Sequence, residues 1–216
     1  MDYISKYTDE MDIHIEEYRN TILIKQRWKY NWLNEEGTSP WTYMEKKEFH
    51  HKCDKQIWGI WGNYYDLEAF GDSDFVKRNK NKLFQVNFDI EWVKSNQHWT
   101  VDAKKVNDPN APYSRMCWAE RKIWLTQQDY KKIDIVRSYG AFDHVTVAHE
   151  FGHSIGNVPD FQNMHWDEYR EESKYYYDKT SMMNLGMKLR YRHLDYVLAV
   201  LNMMILDTEF KHSDWF

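Results

Sequence analysis

The chain has 216 residues, 42% hydrophobic and 29% charged, so it can bury a core and is not a disordered polyelectrolyte. A net charge of −5 leaves no basic footprint for nucleic acid, and no apolar run approaches the ~18 residues of a membrane-spanning helix. Aromatics reach 17%, with 11 Trp and 16 Tyr against only 8 Gly and 4 Pro, which excludes linker-rich or turn-repeat architectures and makes rings a main core material.

The first ten residues, Met1 to Glu10, lack the charged and apolar regions of a cleavable signal peptide. The expectation is a chain that stays inside, belongs to a longer exported protein, or is exported without such a signal. Ile22 to Trp32 is a strand candidate. Phe49, Cys53, Ile57, Ile60, Trp61 and Tyr64 recur at steps of three and four and predict a helix with one apolar face. His50, His51, Cys53 and Asp54 are ligand types on that helix, but no second cluster accompanies them, so a half-exposed helix with one buried thiol is the plainer reading. Phe84 to Trp92 alternates apolar and polar residues without a break. After the polar turn Lys94–Gln97, the run Trp99, Val101, Ala103 alternates again, and the two read as a hairpin. Cys117 reads as a core thiol; with Cys53 it permits one disulfide and requires none.

Arg121 to Thr126 is a further strand. Thr126-Gln127-Gln128-Asp129 resembles a capping box and predicts a short helix towards Val136. Asp143 is suited to cap a helix running through His153, with Gly156 and Asn157 at its end. Leu194, Val197, Leu198, Leu201 and Ile205 form an apolar stripe that reads as core. Strands come mostly first and helices later, without linker or repeat, so the expected fold is a single α+β domain.

His149-Glu150-Phe151-Gly152-His153 carries the chemistry. Residues four apart on a helix share a face, so both imidazoles can meet one metal ion, with Glu150 beside them and within reach of a water. Two imidazoles suit Zn²⁺ and leave room for a third protein ligand and a water. The plainer alternative, two solvated histidines on a surface helix, leaves unexplained the sharp-turn Gly156 and the downstream Thr180-Ser181-Met182-Met183-Asn184.

With these residues together, the segment His149 to Gly156 resembles the zincin metallopeptidases, and Met182 and Met183 resemble the methionine turn of metzincins. Residues 83–206 also resemble the metallopeptidase effector domains carried by spike proteins of bacterial type VI secretion and related contractile injection systems. The matching segments are Phe88 to Trp92, Trp118 to Ile123, the helix motif, Ser181 to Gly186 and Arg190-Tyr191-Arg192-His193. Residues 1–82 have no assigned role. The resemblance implies a zincin-like, twisted, mostly antiparallel sheet packed on helices and one Zn²⁺ per chain. It also implies a peptide or protein substrate, and a toxin effector injected or secreted without a cleavable signal. A delivery spike and a cognate immunity protein are the partners it implies.

The third ligand departs from the metzincin pattern, because Pro159 stands where a ligand is expected. His193 is the first choice and Asp160, one residue further on, the second. Glu168, Glu171 or Glu172 would give a thermolysin-like set, although Asp167 to Glu172 reads first as a solvated acidic face. Glu150 is the expected general base, and Tyr191, Arg190 or Arg192 the expected oxyanion or substrate contacts. An extended substrate is expected to pair with the Arg121–Thr126 strand. Two other readings stay open: a zinc amidase acting on peptidoglycan, separated by substrate, and a silent module retaining the metal motif, separated by the effect of removing Glu150.

Overall fold

The computed structural model describes residues 3–108, 112–158 and 167–213. In chain order its elements are β1 (Tyr3–Tyr7), β2 (Asp12–Glu16), β3 (Thr21–Asn34), α1 (Tyr43–Trp61), β4 (Asp66–Gly71), α2 (Asp74–Arg78) and β5 (Leu83–Trp92). There follow β6 (Trp99–Lys105), β7 (Arg115–Cys117), β8 (Lys122–Thr126), β9 (Lys132–Arg137) and β10 (Gly140–Val145). The last elements are α3 (Thr146–Ser154), α4 (Asp195–Leu201) and β11 (Thr208–His212). The class is α+β, with more sheet than helix, and no helix among the described residues is long and apolar enough to cross a membrane.

Strand β3 organises the sheet. Ile22, Ile24, Gln26, Trp28 and Tyr30 face the core, while the residues between them stay half-buried, as a period of two requires. Residues Thr21–Lys25 have antiparallel β2 on one side and parallel β5 on the other. From Trp28 to Asn34, parallel β6 takes over the β2 side. The full order is β11-β4-β5-β3-β6-β8-β7, with β2 on β3 and β1 outside β2.

One expectation is corrected here. The alternating runs Phe84–Trp92 and Trp99–Ala103 are strands, but they do not form a hairpin, because β3 lies between them and pairs with both. By number of pairings the sheet is mostly antiparallel, as expected. Its centre, β5-β3-β6-β8, is nevertheless parallel, with antiparallel pairs at both ends of the order and antiparallel β2 on the first half of β3. Alternation tells which face of a strand is buried and nothing about its neighbour. In consequence β8 is interior, between β6 and β7, and the free edge near the helix motif belongs to β7.

Residues Thr126–Val136 are not helical. The Asp129 carboxylate takes the Thr126 backbone N–H at 2.7 Å and its hydroxyl at 2.7 Å, closing a turn instead of a helix cap. The β-branched Ile133, Ile135 and Val136 then continue as β9, paired to β10 in a separate two-stranded ribbon. Asp143 lies in β10, ion-paired to Lys132, and caps nothing; α3 starts at Thr146 with no side-chain cap.

Helix α1 forms on the predicted face but ends at Trp61, leaving Ile60 half-buried and Tyr64 exposed beyond its end. Thr42 and Glu45 make a reciprocal capping box, and Phe49, Cys53, Ile57 and Trp61 line its buried face. Trp61 packs on Phe151 and Phe88, with ring centroids 5.7 and 5.9 Å away, and its indole N–H donates to Ala148 O at 3.0 Å. Gln26, wholly buried, donates to Ser154 O and accepts from Ser154 Oγ and Trp28 Nε1. Helix α3 is thus tied at one end to the central strand and braced along its length by α1.

Candidate metal centre

Every α3 residue from Val147 to Ser154 is buried, so its two imidazoles can be oriented by the protein alone. His149 Nδ1 lies 2.7 Å from Met182 O, and His153 Nδ1 lies 2.6 Å from Asn157 O. A carbonyl only accepts, so each Nδ1 carries the hydrogen, and Nε2 is the ligand atom of whichever ring is neutral. His153 Nε2 is 3.2 Å from Asp167 Oδ1, and one ligand atom each of His149, His153 and Asp167 lie within 4.8 Å of one another. No other such group of three His, Cys, Asp or Glu side chains occurs among the described residues. The trio borders a cleft of about 340 Å³ whose other walls include Glu150, Tyr169 and the β7 edge.

Two glycines make this arrangement possible. A Cβ at Gly152 would lie 2.5 Å from Met183 Sδ and 2.9 Å from the Trp61 ring, so only glycine lets the Met182–Met183 turn close beneath α3. Gly156 ends the helix at φ +108°, where its missing side chain makes way for the Tyr196 ring.

Charge is distributed unevenly across the cleft. Burial pushes His149 down to about 3, assisted by neighbouring His153 and His144, which keeps that ring neutral. Burial pushes the Glu150 carboxyl up to about 7. Burial works against a charged His153, but the hydrogen bond to Asp167 and the charge of Glu150 outweigh it and raise it. Asp167 is opposed by burial too, yet the His153 hydrogen bond and charge hold it well below the usual carboxylate range. Tyr169 is raised to about 12, by burial first and then by Asp167, to which it hydrogen-bonds. Two imidazole nitrogens with oriented Nδ1–H groups and one carboxylate make a donor set that fits a metal ion, with the Glu150 carboxyl beside it.

Comparison with protein-family models, with curated proteins and with solved structures gives no match for this chain. The site therefore stands on its own geometry.

The structure brings together His149, Glu150 and His153, sets the Met182–Met183 turn beneath them, and places His193, Arg190, Tyr191 and Arg192 outside the cleft lining. His193 is 1% exposed, in the turn Tyr191–Leu194. Its Nε2 lies 3.1 Å from Ser181 Oγ and 3.6 Å from Glu168 Oε1, and its Nδ1 accepts from Arg190 N. It buttresses the methionine turn and is not in the ligand trio. Arg192 makes a bidentate pair with Glu168, at 2.7 and 2.9 Å, and Arg190 a bidentate pair with Asp178. Tyr191 stacks on His212, with centroids 4.4 Å apart. None of these three lines the cleft. Asp160 lies outside the described residues.

The acidic stretch divides. Glu171 and Glu172 are exposed, but Glu168 is fully buried and Asp167 joins the histidines, so a solvated face describes only its far end. Cys117 is not in the core. Together with Arg115 and Met116 it borders the cleft along β7, and both cysteines are free thiols. Asp167 and Tyr169 were not legible as cleft residues; the one hint was a carboxylate among aromatics shortly after the helix.

Proposed function

We propose that the chain is a zinc-dependent metallopeptidase with His149, His153 and Asp167 as the metal ligands and Glu150 as the general base. The observation that carries this reading is the convergence of that trio and Glu150 in one cleft. Zinc held there would supply Lewis-acid polarisation of the scissile carbonyl and a more acidic water in the open position.

The remaining chemistry belongs to the chain. Glu150, raised to about 7 by burial, takes a proton from the attacking water and delivers it to the leaving amine. Tyr169, raised to about 12, keeps its phenol hydrogen at neutral pH, and as a cleft residue it replaces Tyr191, Arg190 and Arg192 as the oxyanion contact. Met182 O and Asn157 O hold the two imidazoles at fixed angles. The free edge of β7 offers backbone groups to an extended peptide, in the role expected of Arg121–Thr126. The place among delivered toxin effectors, with a spike and an immunity protein as partners, rests on the likeness of residues 83–206.

The decisive experiment is Glu150→Gln, assayed on an unfolded protein and on peptidoglycan in parallel. Loss of protein cleavage with zinc retained supports the proposal. Undiminished cleavage refutes the role of Glu150, and cleavage confined to peptidoglycan makes the enzyme an amidase.

A further inference from the structure

Beside the metal cleft lies a groove of about 680 Å³, bordered by residues 112–115 on one side and 133–137 on the other. Ser114 and Arg115 line both hollows, so the two are continuous along β7. Residues 114–119 border the cleft in unbroken succession, and so do residues 133–137 of β9 in the groove. Successive side chains of a strand point to opposite faces, so a run of consecutive lining residues means that a hollow meets the strand at its edge. Both edges are unpaired among the described residues: β7 pairs only with β8, and β9 only with β10. The path from residue 119 back to residue 112 spans about eight positions, roughly 26 Å of extended chain.

The chemistry of the walls narrows the occupant. Arg115, Lys131 and Arg137 are exposed in the groove and make no ion pair among the described residues. Of the two groove carboxylates one is engaged by hydroxyl and backbone donors, and the other, exposed, leaves the three cations in excess. Asp129 accepts from Ser114 and Thr126, and Asp134 lies in the ribbon beside Lys132 and Asp143. Ile133 and Val136, 48% and 69% exposed, supply apolar contact between the cations. We infer that this groove binds the flanking residues of an extended polypeptide substrate and selects acidic side chains there, which names a substrate class for the proposed peptidase and rests on that reading.

The test uses zinc-loaded protein and quenched-fluorescence peptides of about ten residues, with Glu or Gln in the three positions on either side of the cleaved bond. Glu on one side is expected to raise kcat/KM on the order of fivefold over Gln. Lys131→Glu with Arg137→Glu, which leaves the cleft side chains in place, should reverse that preference while the circular dichroism stays unchanged. Equal rates on Glu and Gln peptides in the parent protein overturn the inference and leave the peptidase reading intact. Fluorescence anisotropy of labelled peptides on the Glu150→Gln protein separates the two claims. Tighter binding of the Glu peptide without any cleavage by the parent protein sustains the groove and sinks the peptidase. Absence of both binding and cleavage overturns the groove.

Discussion

Met183 Sδ occupies the space that a side chain at position 152 would need, 2.5 Å from where its Cβ would stand. The glycine inside the helix motif is therefore a packing requirement of the methionine turn, whose Met182 carbonyl holds His149. Gly152→Ala should drive Met183 or Trp61 off position, costing about 1–3 kcal/mol of stability and weakening metal binding. Urea unfolding and a chelator competition read the two effects. An alanine variant with parental values in both would show that the turn has room to retreat.

The ligand set makes a differential prediction. Zinc measured by elemental analysis should be near one per chain and absent from the His149→Ala, His153→Ala double variant. Asp167→Asn should lower zinc affinity by more than about 100-fold, the upper range for losing a supporting group. His193→Ala should mainly lower stability, since it removes a buried partner of Ser181 and Glu168. A larger affinity loss at His193 than at Asp167 would reinstate three histidines as the ligands.

Half-buried Arg192 forms an ion pair with the buried Glu168 and also reaches Asp178. Arg192→Met leaves the Glu168 charge without its principal partner and should cost about 3–5 kcal/mol, part of which Glu168→Gln recovers in the double variant. Burial opposes the Glu168 charge, but the His193 and Arg192 hydrogen bonds hold its carboxyl down to about 2. A carboxyl lower in the folded than in the unfolded chain stabilises the fold above the ordinary value of 4.5, and that contribution drains away as pH falls towards 2. The parent should therefore lose stability over this window, and the Glu168→Gln variant should lose less. Identical acid profiles would count against the pair.

Glu150 has the opposite sign. Its carboxyl is raised to about 7 in the metal-free fold from 4.5, so the folded chain holds the proton longer than the unfolded chain. That advantage is complete below 4.5 and lost as pH rises through 7, leaving a cost on the order of 3 kcal/mol at higher pH. Glu150→Gln removes the charge and should stabilise the chelator-treated protein at pH 8 but scarcely at pH 4. Urea titrations at both pH values decide it, and a gain of equal size at each would point to packing instead.

What lay within one element was legible. The α1 face with its buried Phe49, Cys53, Ile57 and Trp61, the inward positions of β3 and β5, and the turn at Gly156 all follow from local periodicity and backbone freedom. The Thr126–Asp129 pattern misled because the same side chains that cap a helix also close a turn, and the β-branched residues after it favoured a strand.

The sequence by itself determined that His149, Glu150 and His153 are juxtaposed: 3.6 residues per turn bring them together, whatever surrounds them. Only the tertiary structure decided what joins them. Asp167 approaches because its neighbour Glu168 is drawn into the interior, bonded through its backbone to Met183 and Asn184 and through its side chain to Arg192. The same contacts hold His193 against Ser181, away from the cleft. Likewise β3 enters between β5 and β6, and β7 is left as the open edge, through pairings between distant parts of the chain. Spacing along a sequence encodes a face; the partner across a gap is selected by the burial and charge pairing of the whole fold.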